Sequence, residues 1–352
     1  MDEKKLEYDV FIEYIREHIL EYFPEGYANA EVTIKDVLKN NDNRRKGLFI
    51  NVDKNISPII YLDDLYESYK NNESLEMGNI CRIIYDTYKS QEPDFIVPDV
   101  KNFDAVKDKI VFKLINTENN KEFLKDVPSI QHLDMSAVFQ IQLSPEASIK
   151  VTDNIFNMWN ISKDELGKIA LENTKRIKQP KLVDMNSMLN EILGFVAFEK
   201  SSNPEVNLDS IAEADLKEFF DDNIMNNMTI PLFVLISEDK VNGATCMLFE
   251  DDMKKIANAL DKNFYIIPSS IHELIIIPDS ELLDPMEIKP MISEVNSTCV
   301  ELTDKLSDNL YKFDKEEMKL KIVKTEEAPK LDQKLEEDIR RNVSNPNQGK
   351  SR

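Results

Sequence analysis

Two short apolar runs with a polar bend between them, Phe264–Pro278 (FYIIPSSIHELIIIP), place the strongest local constraint on how this chain folds. Tyr265–Ile267 and Leu274–Ile277 are rich in β-branched side chains, too short for helices, and closed by Pro268 and Pro278. They predict two buried strands. The bend Ser269-Ser270-Ile271-His272-Glu273 is then the connection between them, and connections are where binding and catalytic groups concentrate.

Around this pair the chain alternates helical and strand patterns. Leu6, Val10, Tyr14, Ile19 and Tyr22 recur at three- and four-residue steps and predict a helix from Glu3 to Phe23, ended by Pro24-Glu25-Gly26. Ala30–Leu38 and Leu48–Val52 alternate as an antiparallel pair across a polar link, Asn40–Lys46. Tyr61–Tyr69 and Leu75–Tyr88 read as helices. Gln91–Asp104, with two prolines and no periodicity, reads as a linker. Lys109–Asn116 and Met135–Leu143 are strands, with a short helix near Lys121–Lys125 between them.

The second half opens on helices. Asp153–Asn160 carries the only tryptophan, and Ser162-Lys163-Asp164-Glu165 forms a serine-x-x-glutamate capping signal before a helix that Pro180 stops. Met188–Phe198 is apolar enough for a core. Pro231–Ser237 and Ala244–Phe249 read as strands joined by Asn242-Gly243, a strong hairpin signal. Glu250–Leu260 follows as a helix with three acids in its first turn. A helix at Met286–Leu302 and an edge strand at Leu306–Phe313 complete the pattern. The fold class is therefore α+β, with two lobes at Met1–Pro145 and Glu146–Val323. Each is a small, mainly antiparallel sheet with helices on one face, and Lys324–Arg352 is a polar, disordered tail.

Composition narrows function. The net charge is −22, and the tail from Glu326 is neutral, so the imbalance belongs to the folded part. Glu199–Thr229 is the most acidic segment, with eight acids against Lys200 and Lys217. Such a surface repels a phosphate backbone, so direct nucleic-acid binding is not expected. It suits solubility, a basic partner, or imitation of nucleic acid. Seven glycines in 352 residues build neither G-x-G-x-x-G nor a Walker loop. The three histidines, His18, His132 and His272, lie on separate elements, and Cys81, Cys246 and Cys299 lie far apart. No cofactor and no metal site is expected, although Asp63-Asp64-Glu67 and Glu250-Asp251-Asp252 have the donors for magnesium. The odd, scattered cysteines, the lack of an apolar leader and the lack of a membrane-length run predict a soluble cytoplasmic protein.

Several segments taken together resemble a known family. They are ISPIIYLDDLYESY (Ile56–Tyr69), VKDKIVFKLINTENNKEFLKDVP (Val106–Pro128), MWNISKDELGKIALENT (Met158–Thr174), YIIPSSIHELIIIP and EVNSTCVELTDKLSDNLYKFD (Glu294–Asp314). The set is similar to a family of anaerobic Firmicutes catalogued as a domain of unknown function. The resemblance implies a cytoplasmic bacterial protein folded as one unit, and it carries over no residue roles.

Two function classes follow. The leading one is a non-catalytic protein that binds a macromolecule, most simply another protein, through an acidic or tyrosine-rich surface (Tyr61, Tyr66, Tyr69, Tyr85, Tyr88). The second is a serine hydrolase in which Ser269 or Ser270 is the nucleophile, His272 the base and Glu273 its orienting acid. No G-x-S-x-G elbow accompanies those residues. A nucleic-acid mimic that occupies a DNA-binding protein is the third reading.

Overall fold

The computed structural model of the protein describes residues 5–52, 57–91, 97–145, 147–186, 205–225, 230–268, 270–281 and 283–324. Ser269, the apolar stretch Met188–Phe198 and the tail beyond Lys324 lie outside the described residues.

The N-terminal amphipathic pattern folds as α1 (Tyr8–His18), extended by one 3-10 turn to Tyr22, so that Phe11, Ile15 and Ile19 are buried on one stripe. Two alternating segments pair as β1 (Glu31–Leu38) and β2 (Arg44–Asn51), in register from Glu31 opposite Asn51 to Leu38 opposite Arg44. The short strand β3 (Ile59–Tyr61) completes this antiparallel sheet, and α2 (Leu62–Asn71) and α3 (Met77–Gln91) cover it. Tyr66, Tyr69 and Tyr88 are buried there, and the Tyr88 hydroxyl donates to the Ile50 carbonyl at 3.2 Å. These three tyrosines form a core seam with satisfied or rim-facing hydroxyls rather than a recognition surface.

After the short helix α4 (Phe103–Val106), a second antiparallel sheet forms from β4 (Ile110–Asn116), β5 (Ser129–His132), β6 (Met135–Gln142) and β7 (Ser148–Lys150), with β6 pairing with the other three. Helix α5 (Asp153–Trp159) leads to α6 (Lys163–Lys178), whose first turn is capped by the Ser162 hydroxyl accepting from the Glu165 N–H at 3.1 Å. Asn173 and Thr174 bind α6 to the start of β4. Asn173 Nδ2 donates to the Lys107 and Ile110 carbonyls, and Thr174 Oγ1 accepts the Phe112 N–H.

The third sheet has seven strands in the order β14-β13-β11-β12-β10-β8-β9, all neighbours antiparallel. They are β8 (Pro180–Asp184), β9 (Glu205–Asn207), β10 (Phe233–Ser237), β11 (Phe264–Ile267), β12 (Glu273–Pro278), β13 (Tyr311–Asp314) and β14 (Lys319–Ile322). Helices α7 (Glu213–Met225), α8 (Glu250–Leu260) and α9 (Pro285–Thr298) lie between these strands in sequence. The fold class is α+β, as the alternation of patterns implies. Phe264–Pro278 forms the predicted hairpin, Tyr265 opposite Ile277, with Phe264, Ile266, Leu274 and Ile276 buried.

Three local expectations are corrected. Ala244–Phe249 is not a strand but lies in a 3-10 helix, Gly243–Leu248. Both edges of β10 are already occupied by β8 and β12, which leaves no edge for a hairpin partner. The segment near Lys121–Lys125 is a 3-10 turn, Phe123–Asp126, too short to gain α-helical hydrogen bonds. β13 is an interior strand and begins only at Tyr311, with β14 outside it.

Two large apolar cores result. One gathers residues between Phe11 and Tyr88, the other residues between Val106 and Phe313. The second draws on both sides of Pro145, because β4 and β6 share their apolar face with α6, α8 and the seven-stranded sheet.

Candidate functional site

The bend between β11 and β12 is held by backbone contacts. The Ile271 N–H donates to the Asp304 carbonyl at 2.8 Å, its carbonyl accepts the Ala244 N–H at 3.1 Å, and Ser270 bridges to Lys305. Ser270 is buried, and its Oγ accepts the His272 N–H at 3.0 Å, a turn-closing role for a serine hydroxyl. Nδ1 of His272 lies 3.2 Å from the Asn242 N–H, which can only donate, so Nδ1 accepts and the neutral ring carries its proton on Nε2. Nε2 in turn lies 3.7 Å from Asp304 Oδ1. Glu273 opens β12 opposite Ile236, and the carboxylate at the imidazole comes from Asp304 instead. Nδ1 is thus engaged, Asp304 lies near Nε2 but beyond hydrogen-bond distance, and among the described residues no hydrogen bond joins the ring to Ser270 Oγ.

Most acids of the two clusters, and the bases Arg44, Arg45 and Lys46, likewise have partners. Asp63 accepts from the Tyr8 hydroxyl and the Lys46 N–H, and Asp64 pairs with Arg45 at 2.6 Å. Arg44 pairs with Glu122, and Lys46 with Asp36. Glu250 pairs with Lys254, and the buried Asp252 lies 3.1 Å from Lys175, burial holding its carboxyl above the ordinary range. Among the described residues no three potential ligands converge on a metal position. No helix among them is long and apolar enough to cross a membrane.

A concavity among the described residues lies elsewhere. A cleft of about 920 Å³ opens where the apolar face of β4–β6–β5 meets α6, the 3-10 helix before α8, and the β13–β14 hairpin. From α6 it takes Asp164, Gly167, Lys168, Leu171 and Lys175, one helical stripe. Gly167 lets α6 approach β5 closely, since a Cβ there would come within 2.5 Å of Ile130 Cδ1. Phe139, Met247 and Met253 line the cleft from the core side. His132 also faces it, and burial pushes its pKa below the ordinary histidine value.

Two hairpin tips frame the mouth. Leu133, between β5 and β6, and Met318, between β13 and β14, both line the cleft and both have positive φ (57° and 51°). This left-handed region disfavours large side chains. Leu133 is 42% exposed, and Leu171, which also lines the cleft, is 40% exposed. The first tip is fixed by Asp134, whose carboxylate accepts from Ser307 Oγ at 2.8 Å, from Asn309 Nδ2 at 2.9 Å and from the Tyr311 hydroxyl. Sequence reasoning missed this cleft because its walls come from segments near residues 130, 170, 248 and 318. The one local cue is a bulky apolar residue at each tight turn.

No curated protein and no solved structure matches the sequence. A family model described as a family of unknown function (DUF5688) matches residues 8–315, the whole of the two cores, and the chain belongs to that family.

Proposed function

We propose that this is a non-catalytic binding protein whose cleft receives an apolar segment of a partner protein. The observation that carries this reading is the pair Leu133 and Met318. Each is a large apolar side chain at a strained backbone position, and both stand at the mouth of one cleft. Strain at a fold's surface persists where the surrounding structure enforces it, and Asp134 enforces it at the first tip. The exposed leucines of the lining, Leu133 and Leu171, are anchors that a partner would bury, and the lining methionines adapt to its side chains. Charges of both signs at the rim, such as Asp164, Asp251, Lys168 and Lys319, would set register. The net charge of −22 favours a basic partner and fast association at low salt. Three unpaired cysteines support a reducing compartment, the cytoplasm.

The test compares capture of partners on immobilised wild type with capture on Leu133→Asp and Leu171→Asp at physiological salt. A saturable protein ligand retained by the wild type and lost from both variants is expected. No saturable protein ligand, or one indifferent to both substitutions, removes the cleft as its site.

A further inference from the structure

The opposite face of the same sheet holds an unusual set of charges. Lys113 on β4 stands opposite Val138 on β6, and Lys150 on β7 stands opposite Gln140, two residues along that strand. The two lysines therefore share the face that turns away from the cleft. Both ammonium groups lie over the ring of Phe123, Lys113 at 6.0 Å and Lys150 at 4.9 Å from its centroid. Lys39, just after β1, adds a third positive charge; its Nζ donates to the Tyr61 hydroxyl at 3.1 Å and lies 4.3 Å from the centre of that ring. Lys39 and Lys150 both repel the charged form of Lys113. Together with burial, the larger cause, this pushes its pKa down to about 8.

The bases of the nearby run Arg44–Lys46 each have a carboxylate partner. Among the described residues, Lys39, Lys113 and Lys150 form no ion pair. The one acid that favours the Lys113 charge is Asp304, and its carboxylate is shared with His272 Nε2 at 3.7 Å and with the Thr303 hydroxyl at 3.4 Å. Lys113 and Lys150 over one ring, with Lys39 near enough to repel the first and one carboxylate to offset them, in a chain of net charge −22, are not explained by solubility. We propose that Lys39, Lys113 and Lys150 form a binding site for a phosphoryl group. The ammonium groups would supply charge-assisted hydrogen bonds to its oxygens, with Phe123 as the apolar floor. The site is open to solvent through Lys150, which is exposed.

Calorimetric titration of the full chain with inorganic phosphate, sulfate and O-phospho-L-serine, at constant ionic strength balanced by chloride, tests this. All three should bind saturably and in competition, and tighter binding of phosphoserine would point to a phosphoryl group carried on a larger molecule. Lys113→Met and Lys150→Met should each weaken binding by about tenfold or more. Sulfate, whose charge is constant in this range, should bind more weakly at pH 9 than at pH 7 as Lys113 loses its proton. The exposed Lys150→Met variant serves even if Lys113→Met folds poorly. Overturning results are no saturable binding above the chloride control, or binding unchanged in Lys150→Met.

Discussion

Leu133 and Met318 occupy backbone positions that asparagine or glycine would hold at lower cost, since an ordinary residue in the left-handed region forfeits about 1 kcal/mol. Met318 is half-buried against the large core, but Leu133 is exposed, so packing does not repay the strain at Leu133. Leu133→Asn should therefore raise the urea midpoint, by about 1 kcal/mol in stability, while it weakens partner capture. Lower stability would instead mark the leucine as a packing residue. Lys113 makes a second residue-scale prediction. Burial and two neighbouring lysines make the folded protein hold this proton less tightly than the unfolded chain does. Below pH 8 both states are protonated and the cost of the buried charge is complete. Between about 8 and the ordinary lysine value of 10.5 the unfolded chain binds more protons, so this group's contribution to stability rises with pH. Subtracting the denaturation profile of Lys113→Met from that of the wild type isolates the slope. A flat difference over that window rejects the shift.

At the scale of elements, the contrast between Phe264–Pro278 and Asn242-Gly243 shows what local sequence can and cannot specify. The first is legible because its two runs pair with each other, and the hairpin needs no information beyond the segment. Asn242-Gly243 carries an equally good turn signal, with Asn242 in the left-handed conformation. Yet the strand before it pairs with β8 and β12, and the chain after it turns into a 3-10 helix. Pairing across 30 or more residues overrides a dipeptide preference. The role of Gly243 is close approach. A Cβ there would lie 2.3 Å from the His272 carbonyl oxygen and 2.7 Å from the Ser237 nitrogen, both main-chain atoms that cannot rotate aside. Gly243→Ala should cost about 3 kcal/mol and separate Asn242 from His272 Nδ1. Chemical denaturation measures the first effect, and a changed His272 imidazole resonance in NMR the second. An unchanged midpoint would mean that β10 and β12 shift apart freely. The serine–histidine bend was likewise readable as a bend, but the imidazole's partners, Asn242 and Asp304, lie some 30 residues to either side and leave no motif.

For the whole molecule the question is how two apolar cores behave as one protein. Beside an apolar contact of Leu38 with Ile115, Phe123, Val127 and Val138, their seam is polar at the Asn40–Asn43 turn, where Asn41 and Asp42 both have positive φ, a conformation their side chains tolerate. Asn40 Nδ2 donates to the Thr303 carbonyl at 2.7 Å, and Asn41 Nδ2 to the Leu302 and Lys305 carbonyls. The Asp42 carboxylate accepts the Glu122 and Phe123 N–H groups at 2.8 and 2.9 Å. Hydrogen bonds of this kind couple two cores without merging them. We infer that the cooperative units are the core around Phe11–Tyr88 and the core around Val106–Phe313. Asp42→Asn keeps the backbone preference but faces one N–H with a second donor, at a cost of about 1–3 kcal/mol in coupling. Each core has its own reporter. Cys81 is buried in the first, where desolvation raises its thiol pKa to about 11, and Trp159 is buried in the second. In the wild type, Cys81 labelling and the loss of Trp159 fluorescence should follow one denaturation curve. In Asp42→Asn, Cys81 should become reactive at lower urea than that at which Trp159 changes. If the two reporters stay coincident in the variant, the turn is not the coupling element and the two cores unfold as one.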